Sequence, residues 1–124
     1  MFAMKSIHHV SLIVGDTRTA LAFYVDILGL EIDADRPDLG FAGAWLNIGT
    51  RQIHLLELPN PDPVLNRPAH GGRDRHLAFE VDDLAGLVMK LDEKNISYTM
   101  SQSGRKALFL RDPDGNALEM IETK

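Results

Sequence analysis

The sequence repeats itself once, and this repeat restricts the fold more than any other feature. A strand-like segment beginning at His9, followed by the candidate helix cap Asp16, recurs 67 residues later as His76 and Asp83. Each copy has the pattern β-α-β-β-β. Two copies are too few for a solenoid, which needs at least three stacked units. Two half-sheets can instead each cover the buried face of the other, so we expect a pseudo-symmetric pair of modules.

Hydrophobic periodicity predicts the strands and two amphipathic helices within this repeat. The helices begin after Asp16 and Asp83, which are typical N-cap residues, and carry apolar stripes over 20–28 and 84–91. They end near Gly29 and Asn95, which favour the left-handed conformation that stops a helix. The predicted strands lie at 7–14, 30–34, 44–48, 52–58, 76–81, 98–101, 107–110 and 117–121.

The length of the chain predicts a single domain. It has 124 residues, of which 44% are hydrophobic and 25% charged, which is a globular composition. The modules span about 6–58 and 74–122, and a proline-rich loop at 59–73 crosses between them. Because each module is too small to fold alone, we expect one α+β domain over residues 1–124.

Charge and residue content exclude several classes of protein. The formal net charge is −5, whereas nucleic-acid and membrane-surface proteins need a basic patch. The absence of cysteine excludes disulfides and thiolate metal sites. No apolar run approaches the ~18 residues of a membrane span, and the first residues lack a secretory signal. We therefore expect a cytoplasmic protein with a small-molecule partner and neither nucleic acid nor membrane.

Strand parity places four potential metal ligands on one face. Successive side chains of a strand point to opposite faces, so the apolar rows beneath the helices leave His9, His54, His76 and Glu119 on the other face. Imidazole with carboxylate is a ligand set for Zn, Ni, Fe, Mn or Co and a poor one for calcium. Any one of these residues alone would more often be structural, but the equal register of His9 and His76 favours a shared metal site.

Other side chains give weaker signals. His8 falls on the apolar face and reads as structural, and His70, in the crossing loop, reads as solvated. The basic turn at 104–106 could hold a substrate carboxylate or phosphate. Trp45 and Phe109 could line a cavity, although aromatic residues on strands are usually core.

Four stretches resemble the vicinal oxygen chelate superfamily, which contains the glyoxalase, bleomycin-resistance and extradiol-dioxygenase families. They are IHHVSLIVGD at 7–16, AFYVDILGL at 22–30, RHLAFEVDD at 75–83 and FLRDPDGNALE at 109–119. The resemblance covers nearly the whole chain. It implies paired βαβββ modules that form an open, cup-like mixed-sheet barrel around a divalent metal, with helices on the outer face, and it implies a homodimer.

The resemblance also implies roles for the four residues. His9, His76 and Glu119 are similar to the two-histidine, one-carboxylate set of fosfomycin-modifying and extradiol members. Glyoxalase I and the epimerases usually have Glu or Gln at the position of His54. His54 is therefore either a fourth ligand or a base that moves a proton, and whether the ligands come from one chain or two stays open.

Three functions remain on this basis. The one we favour is a metal-dependent lyase or isomerase acting through a metal-chelated enediolate, with His54 and Glu119 as catalytic residues. The first alternative is an Fe- or Mn-dependent dioxygenase. The second is a metal-free, bleomycin-resistance-like protein that sequesters a ligand, although the retained ligand set counts against it.

Overall fold

Two four-stranded mixed sheets make up the protein, in a computed structural model that describes all residues from Met1 to Lys124. The chain divides into two compact units, Met1–Asp62 and Pro63–Lys124. Neither sheet closes into a barrel. The predicted α+β class with two βαβββ modules is confirmed.

The first unit contains a sheet with the strand order β1-β4-β3-β2. Its elements are β1 His9–Val14, α1 Thr17–Leu21, a π-helical segment Ala22–Ile27, β2 Glu31–Ile32, β3 Gly43–Ile48 and β4 Arg51–Glu57. Strand β1 runs parallel to β4, and the other neighbours are antiparallel.

The second unit repeats this topology with the strand order β5-β8-β7-β6. Its elements are a 3₁₀ turn Gly71–Arg73, β5 His76–Val81, α2 Leu84–Glu93, β6 Tyr98–Met100, β7 Ala107–Arg111 and β8 Ala117–Glu122. Strand β5 is parallel to β8. The strands β1 and β5 therefore lie at equivalent edges, as the repeat predicts.

The first helix differs from its prediction. It begins at Thr17, where the Asp16 carboxylate accepts a hydrogen bond from the Thr19 N–H at 2.8 Å, so the predicted cap is confirmed. After Leu21 it widens, because the Leu28 N–H bonds to the carbonyl of Phe23, five residues earlier, at 3.0 Å. Hydrophobic spacing does not distinguish this wider turn from an α-helix.

A glutamate at the end of the central strand supports each helix start. In the first unit the Thr17 N–H donates to Glu57 Oε1 at 2.7 Å, and in the second the Leu84 N–H donates to Glu122 Oε1 at 3.0 Å. The first N–H groups of a helix have no partner within it. These contacts therefore tie α1 to β4 and α2 to β8, the pairs of elements that also pack together.

The core of each sheet lies on the face that parity assigns to the apolar rows. In β4, Ile53 and Leu55 are buried while His54 between them is half-buried. Strand β8 is an exception, because Glu119 is buried as completely as its apolar neighbours Leu118 and Met120. No helix is long and apolar enough to cross a bilayer.

Candidate functional site

In the first unit, three aromatic rings form a stack on one face of the sheet. The His9 and His54 rings lie 4.0 Å apart between centroids, at an interplanar angle of 17°. Trp45 covers the His54 ring at 4.3 Å and 8°. The stack arises from register, because Trp45 is directly opposite His54 on β3 and Ser11, two residues after His9, is opposite it on β1.

A side-chain network holds one edge of the His54 ring. His54 Nε2 is 2.9 Å from Oε1 of Gln52, and the amide nitrogen of Gln52 donates to Asp33 Oδ2 at 2.7 Å and Asn47 Oδ1 at 2.9 Å. The pKa of His54 is lowered, chiefly because partial burial disfavours the charged ring and further because of the nearby His9, His8 and Arg36. Both effects favour a neutral imidazole.

His8 contacts His9 and is exposed, whereas the sequence predicts a structural residue on the apolar face. Strand β1 begins at His9, which leaves His8 exposed before it, with its Nδ1 2.8 Å from Nδ1 of His9. One of the two nitrogens must carry the hydrogen and the other must accept it. When His9 donates, its Nε2 is left with a free lone pair.

In the second unit, His76 and Glu119 form a pair. His76 Nε2 is 3.2 Å from Glu119 Oε1, and His76 Nδ1 is 2.9 Å from the backbone carbonyl of Asp74. A carbonyl can only accept, so Nδ1 carries a hydrogen. Nε2 therefore faces the carboxylate oxygen at a distance at which a hydrogen bond can form or both atoms can hold one cation.

Arg105 makes the second contact to this carboxylate. Its Nη2 is 3.2 Å from Glu119 Oε2, although its side chain is 59% exposed and that of Glu119 only 3%. Its Nε donates to Ser103 Oγ at 3.3 Å. The neighbouring Lys106 pairs instead with Glu122 at 2.8 Å. The basic turn therefore places one guanidinium, and not two cations, on the buried carboxylate.

His70 is more ordered than its position in the crossing loop predicts. Its Nδ1 accepts from the Gly72 N–H at 3.0 Å and caps the 3₁₀ turn. Its ring lies 5.0 Å from that of Phe109, whose ring also meets His76 edge-on at 5.1 Å. His70 is half-buried, so the expectation that it is simply solvated was wrong.

The second unit also has a cavity of about 290 Å³, lined in part by Gly71, Tyr98, Phe109 and Arg111. Neither His76 nor Glu119 borders it. The Arg111 guanidinium is engaged by Asp74 at 2.8 Å and by two backbone carbonyls. The cavity therefore offers no free charged side chain to a ligand.

The structure thus brings the predicted site residues together in two pairs, His9 with His54 in the first unit and His76 with Glu119 in the second. No group of three or more His, Asp or Glu side chains is arranged to hold a metal ion.

The side chains that hold these pairs in place were not predicted from the sequence. Gln52 could have been found by parity, since it shares the face of His54. Asp33 could not, because parity in the predicted strand 30–34 does not identify its partner, and the observed β2 ends at Ile32.

The protein has two βαβββ modules, and equivalent strands present a histidine pair in one module and a histidine–carboxylate pair in the other. This arrangement defines a protein of the glyoxalase fold class. The chain belongs to the Glyoxalase/Bleomycin resistance protein/Dioxygenase superfamily, whose family model matches residues 6–120. The family resemblance of the four sequence stretches is thereby confirmed.

Three proteins are similar to this chain in sequence or in structure. The chain is 32% identical to glyoxylase I 4 of Arabidopsis thaliana, over 94% of this chain and 70% of that one. It is 29% identical to the mitochondrial methylmalonyl-CoA epimerase of Mus musculus, over 98% and 75%. A crystal structure of a glyoxalase family protein from Bacillus anthracis superimposes with a TM-score of 0.81 at 25% identity, covering 100% and 99% of the two chains.

Proposed function

We propose that this protein is a divalent-metal-dependent enzyme that acts on a small molecule by lyase or isomerase chemistry. In such a reaction a proton is taken from a carbon next to a carbonyl group and is returned to that carbon or its neighbour. Membership of the superfamily supports the class of enzyme. The relatives named for glyoxylase I and methylmalonyl-CoA epimerase support the type of reaction.

The observation that carries the proposal is the His76–Glu119 pair. Metal-binding histidines usually donate the other ring N–H to a carbonyl or carboxylate, which fixes the tautomer and aims the lone pair. His76 does this through the Asp74 carbonyl, with Nε2 directed at a buried carboxylate 3.2 Å away. These donors fit a borderline divalent ion such as Zn, Ni, Fe, Mn or Co.

The metal ligands we propose are His9, His76 and Glu119, the set that the family resemblance implies, supplied by one chain or by two. His9 fits this role because its Nδ1–H can donate a hydrogen bond to Nδ1 of His8. Its Nε2 then keeps a lone pair that can bind a metal ion, as in His76. A divalent ion held by these residues would polarise a substrate oxygen and make the neighbouring carbon more acidic. His54 is half-buried and favours the neutral form, so it is suited to accept the proton that leaves this carbon.

Metal content tests the first part of this proposal. Protein stripped with a chelator and dialysed against Co²⁺ or Zn²⁺ should take up about one ion per chain and gain thermal stability, since binding to the folded state stabilises it. His76→Ala should weaken uptake by about 100-fold or more. His70→Ala is the matched control, because it removes a half-buried histidine outside the assigned set.

Failure to take up any divalent ion would overturn the metal dependence. It would favour the ligand-sequestering alternative, provided that the protein still binds an organic ligand. Gel filtration with and without metal would show in the same samples whether the chain forms the homodimer that the family resemblance implies.

The reaction type is tested by following protons. The metal-loaded protein should catalyse exchange of a substrate C–H with deuterium from solvent, and His54→Gln should slow this exchange more than it weakens metal binding. The hemithioacetal of glutathione and methylmalonyl-CoA are the first substrates to try. Oxygen consumption with a catechol, in the absence of proton exchange, would replace this proposal with a dioxygenase.

A further inference from the structure

We propose that Gln52 is a positioning residue that holds His54 as the tautomer with hydrogen on Nε2, so that Nδ1 is the atom of His54 that accepts the proton. The tautomer follows from contacts within the first unit alone. The use made of Nδ1 rests on the proposed function.

Asp33 fixes the orientation of the Gln52 amide, because an ionised carboxylate can only accept hydrogen bonds. The atom of the Gln52 amide that lies 2.7 Å from Asp33 Oδ2 must therefore be the NH₂ nitrogen. This fixes the orientation of the amide without any assumption about Asn47, whose own amide could be turned either way. The Asp33 carboxylate is held ionised, since hydrogen bonds from the Asp35 N–H and from Gln52 lower its pKa.

With the nitrogen so placed, Gln52 Oε1 is the atom that faces His54. An amide oxygen also only accepts, and it lies 2.9 Å from His54 Nε2. Nε2 must then carry the hydrogen. The Asp33 carboxylate thus fixes which end of the Gln52 amide donates, and the amide in turn fixes which nitrogen of the His54 ring carries the hydrogen.

The network is anchored at both ends by backbone pairing. Gln52 and Asn47 are opposite one another on β4 and β3, and the second amide hydrogen of Gln52 is donated to Asn47 Oδ1 at 2.9 Å. Asp33 is fixed by its own N–H, which donates to the Trp45 carbonyl at 2.8 Å. Backbone pairing therefore holds in place the side chains of Asp33, Gln52 and Asn47, and this network fixes the hydrogen on Nε2 of His54.

The ring stack cannot do this by itself. His9 and Trp45 cover the two faces of the His54 ring and so fix its plane. A rotation of 180° about the bond to the ring would keep that plane while exchanging its edges. The bond to Gln52 selects one of the two edges, which is why we call Gln52 a positioning residue.

The consequence concerns the role of His54. Nδ1 has no hydrogen-bond partner, whereas Nε2 is occupied by Gln52 for as long as their bond lasts. A neutral imidazole with a bare, unpartnered nitrogen can take a proton without first breaking a bond. The network therefore assigns the free lone pair to Nδ1, so in the proposed reaction the proton is accepted at Nδ1 and not at Nε2.

The test uses the full chain, free of metal, with ¹⁵N-labelled histidine. Long-range ¹H–¹⁵N correlations distinguish the protonated from the bare ring nitrogen, and loss of one set of signals in His54→Asn assigns them. At a pH where the ring is neutral, wild-type His54 should carry its hydrogen on Nε2. A hydrogen on Nδ1 would overturn the proposal, and this measurement needs no Gln52 variant to fold.

Two substitutions then separate positioning from mere packing. Gln52→Leu removes the acceptor and should shift the tautomer ratio by about tenfold towards Nδ1–H, the effect of one hydrogen bond of ordinary strength. Gln52→Glu keeps the acceptor that faces His54 but replaces the donor that faces Asp33, so it is combined with Asp33→Asn, whose amide can donate to it. This double variant should restore the Nε2–H form. Gln102→Leu, the same change at an exposed position of the other unit, should leave the His54 signals unchanged.

The outcomes distinguish this inference from the proposed function. An Nε2–H tautomer in a protein that binds no divalent ion would leave the positioning role of Gln52 intact and remove the enzyme proposal. If the protein binds metal and is active, but His54 has the same tautomer ratio in wild type and Gln52→Leu, the enzyme proposal stands and the positioning role of Gln52 is wrong.

Discussion

His54 and Glu119 occupy the same position in their respective sheets. His54 is opposite Ser11, two residues after His9, and Glu119 is opposite Ala78, two residues after His76. The repeat thus places an imidazole in one unit where it places a carboxylate in the other. This difference gives the second unit a buried negative charge that the first lacks, and Arg105 is the cation that meets it.

We expect Arg105 to compete with a metal ion for Glu119. Arg105→Gln should raise the affinity of the metal-free protein for Co²⁺ by about fivefold, since a unit charge at ~4 Å in a solvated setting is worth about 1 kcal/mol. Titration calorimetry measures the change. Arg73→Gln is the control, because Arg73 is also exposed and its side chain has no ion pair with a carboxylate. A lower Co²⁺ affinity in Arg105→Gln would instead mean that Arg105 helps to organise the site.

The tryptophan stacked on His54 provides an optical test of the ligand assignment. Trp45 is the only tryptophan of the chain, and its ring lies 4.3 Å from that of His54, which is itself 4.0 Å from His9. Co²⁺ bound at His9 should therefore quench most of the tryptophan emission. His9→Asn should abolish the quenching and His70→Asn should not. Binding of Co²⁺ without quenching would show that the ion lies away from the first unit's stack.

Periodicity was enough to predict the two βαβββ modules and the strand face on which each candidate site residue lies. The offset of 67 residues carried His9 onto His76, and parity placed His54 and Glu119 on the faces where the structure has them. Such patterns succeed because burial of one face is a property of every second residue along a strand. The same reasoning fails where no alternation exists.

The contacts that the sequence did not predict involve residues outside the regular strands. Asp33 falls within the strand predicted at 30–34, but β2 ends at Ile32, and spacing alone does not connect Asp33 with Gln52, 19 positions later. Arg105 reaches Glu119 from an irregular turn, and its exposure made it look like any surface arginine. His8 was misread because β1 starts one residue after it, which frees its ring to turn towards His9. Contacts between loop and strand depend on tertiary geometry that spacing does not encode.

The glutamates that support the helix starts should each contribute to stability. Glu57→Ala removes the acceptor of the Thr17 N–H and should lower the free energy of unfolding by about 1 kcal/mol, as loss of a helix cap does. Glu122→Ala should act in the same direction at α2. Urea unfolding followed by circular dichroism measures both. Glu93→Ala is the control, since Glu93 is exposed and its side chain does not support a helix start.

These variants also test the single-domain expectation. In one cooperative domain, either substitution shifts one common transition. Two transitions, of which Glu57→Ala moves only the first and Glu122→Ala only the second, would show that the units unfold separately.

Asp74 links stability to pH and supports His76. Its carboxylate pairs with Arg67 at 2.9 Å and with Arg111 at 2.8 Å, and its carbonyl receives the His76 Nδ1–H. The hydrogen bond from Arg67, followed by that from Arg111, holds its pKa far below the usual range. Because the carboxylate is mostly buried, Asp74→Asn should lower the free energy of unfolding by about 3 kcal/mol at neutral pH.

The pH dependence of the stability lost in Asp74→Asn tests whether the charge of Asp74 is the cause. A carboxyl whose pKa is lower in the folded than in the unfolded state contributes its full stabilisation above the unfolded value of ~3.9, and this contribution is lost as the pH falls towards the folded value. The gap between wild type and Asp74→Asn should therefore be constant from pH 7 to about 5 and narrow at lower pH. Asp26→Asn, at an exposed site, should show no gap. A gap for Asp74→Asn that stayed constant into strong acid would mean that packing of the side chain, and not its charge, provides the stability.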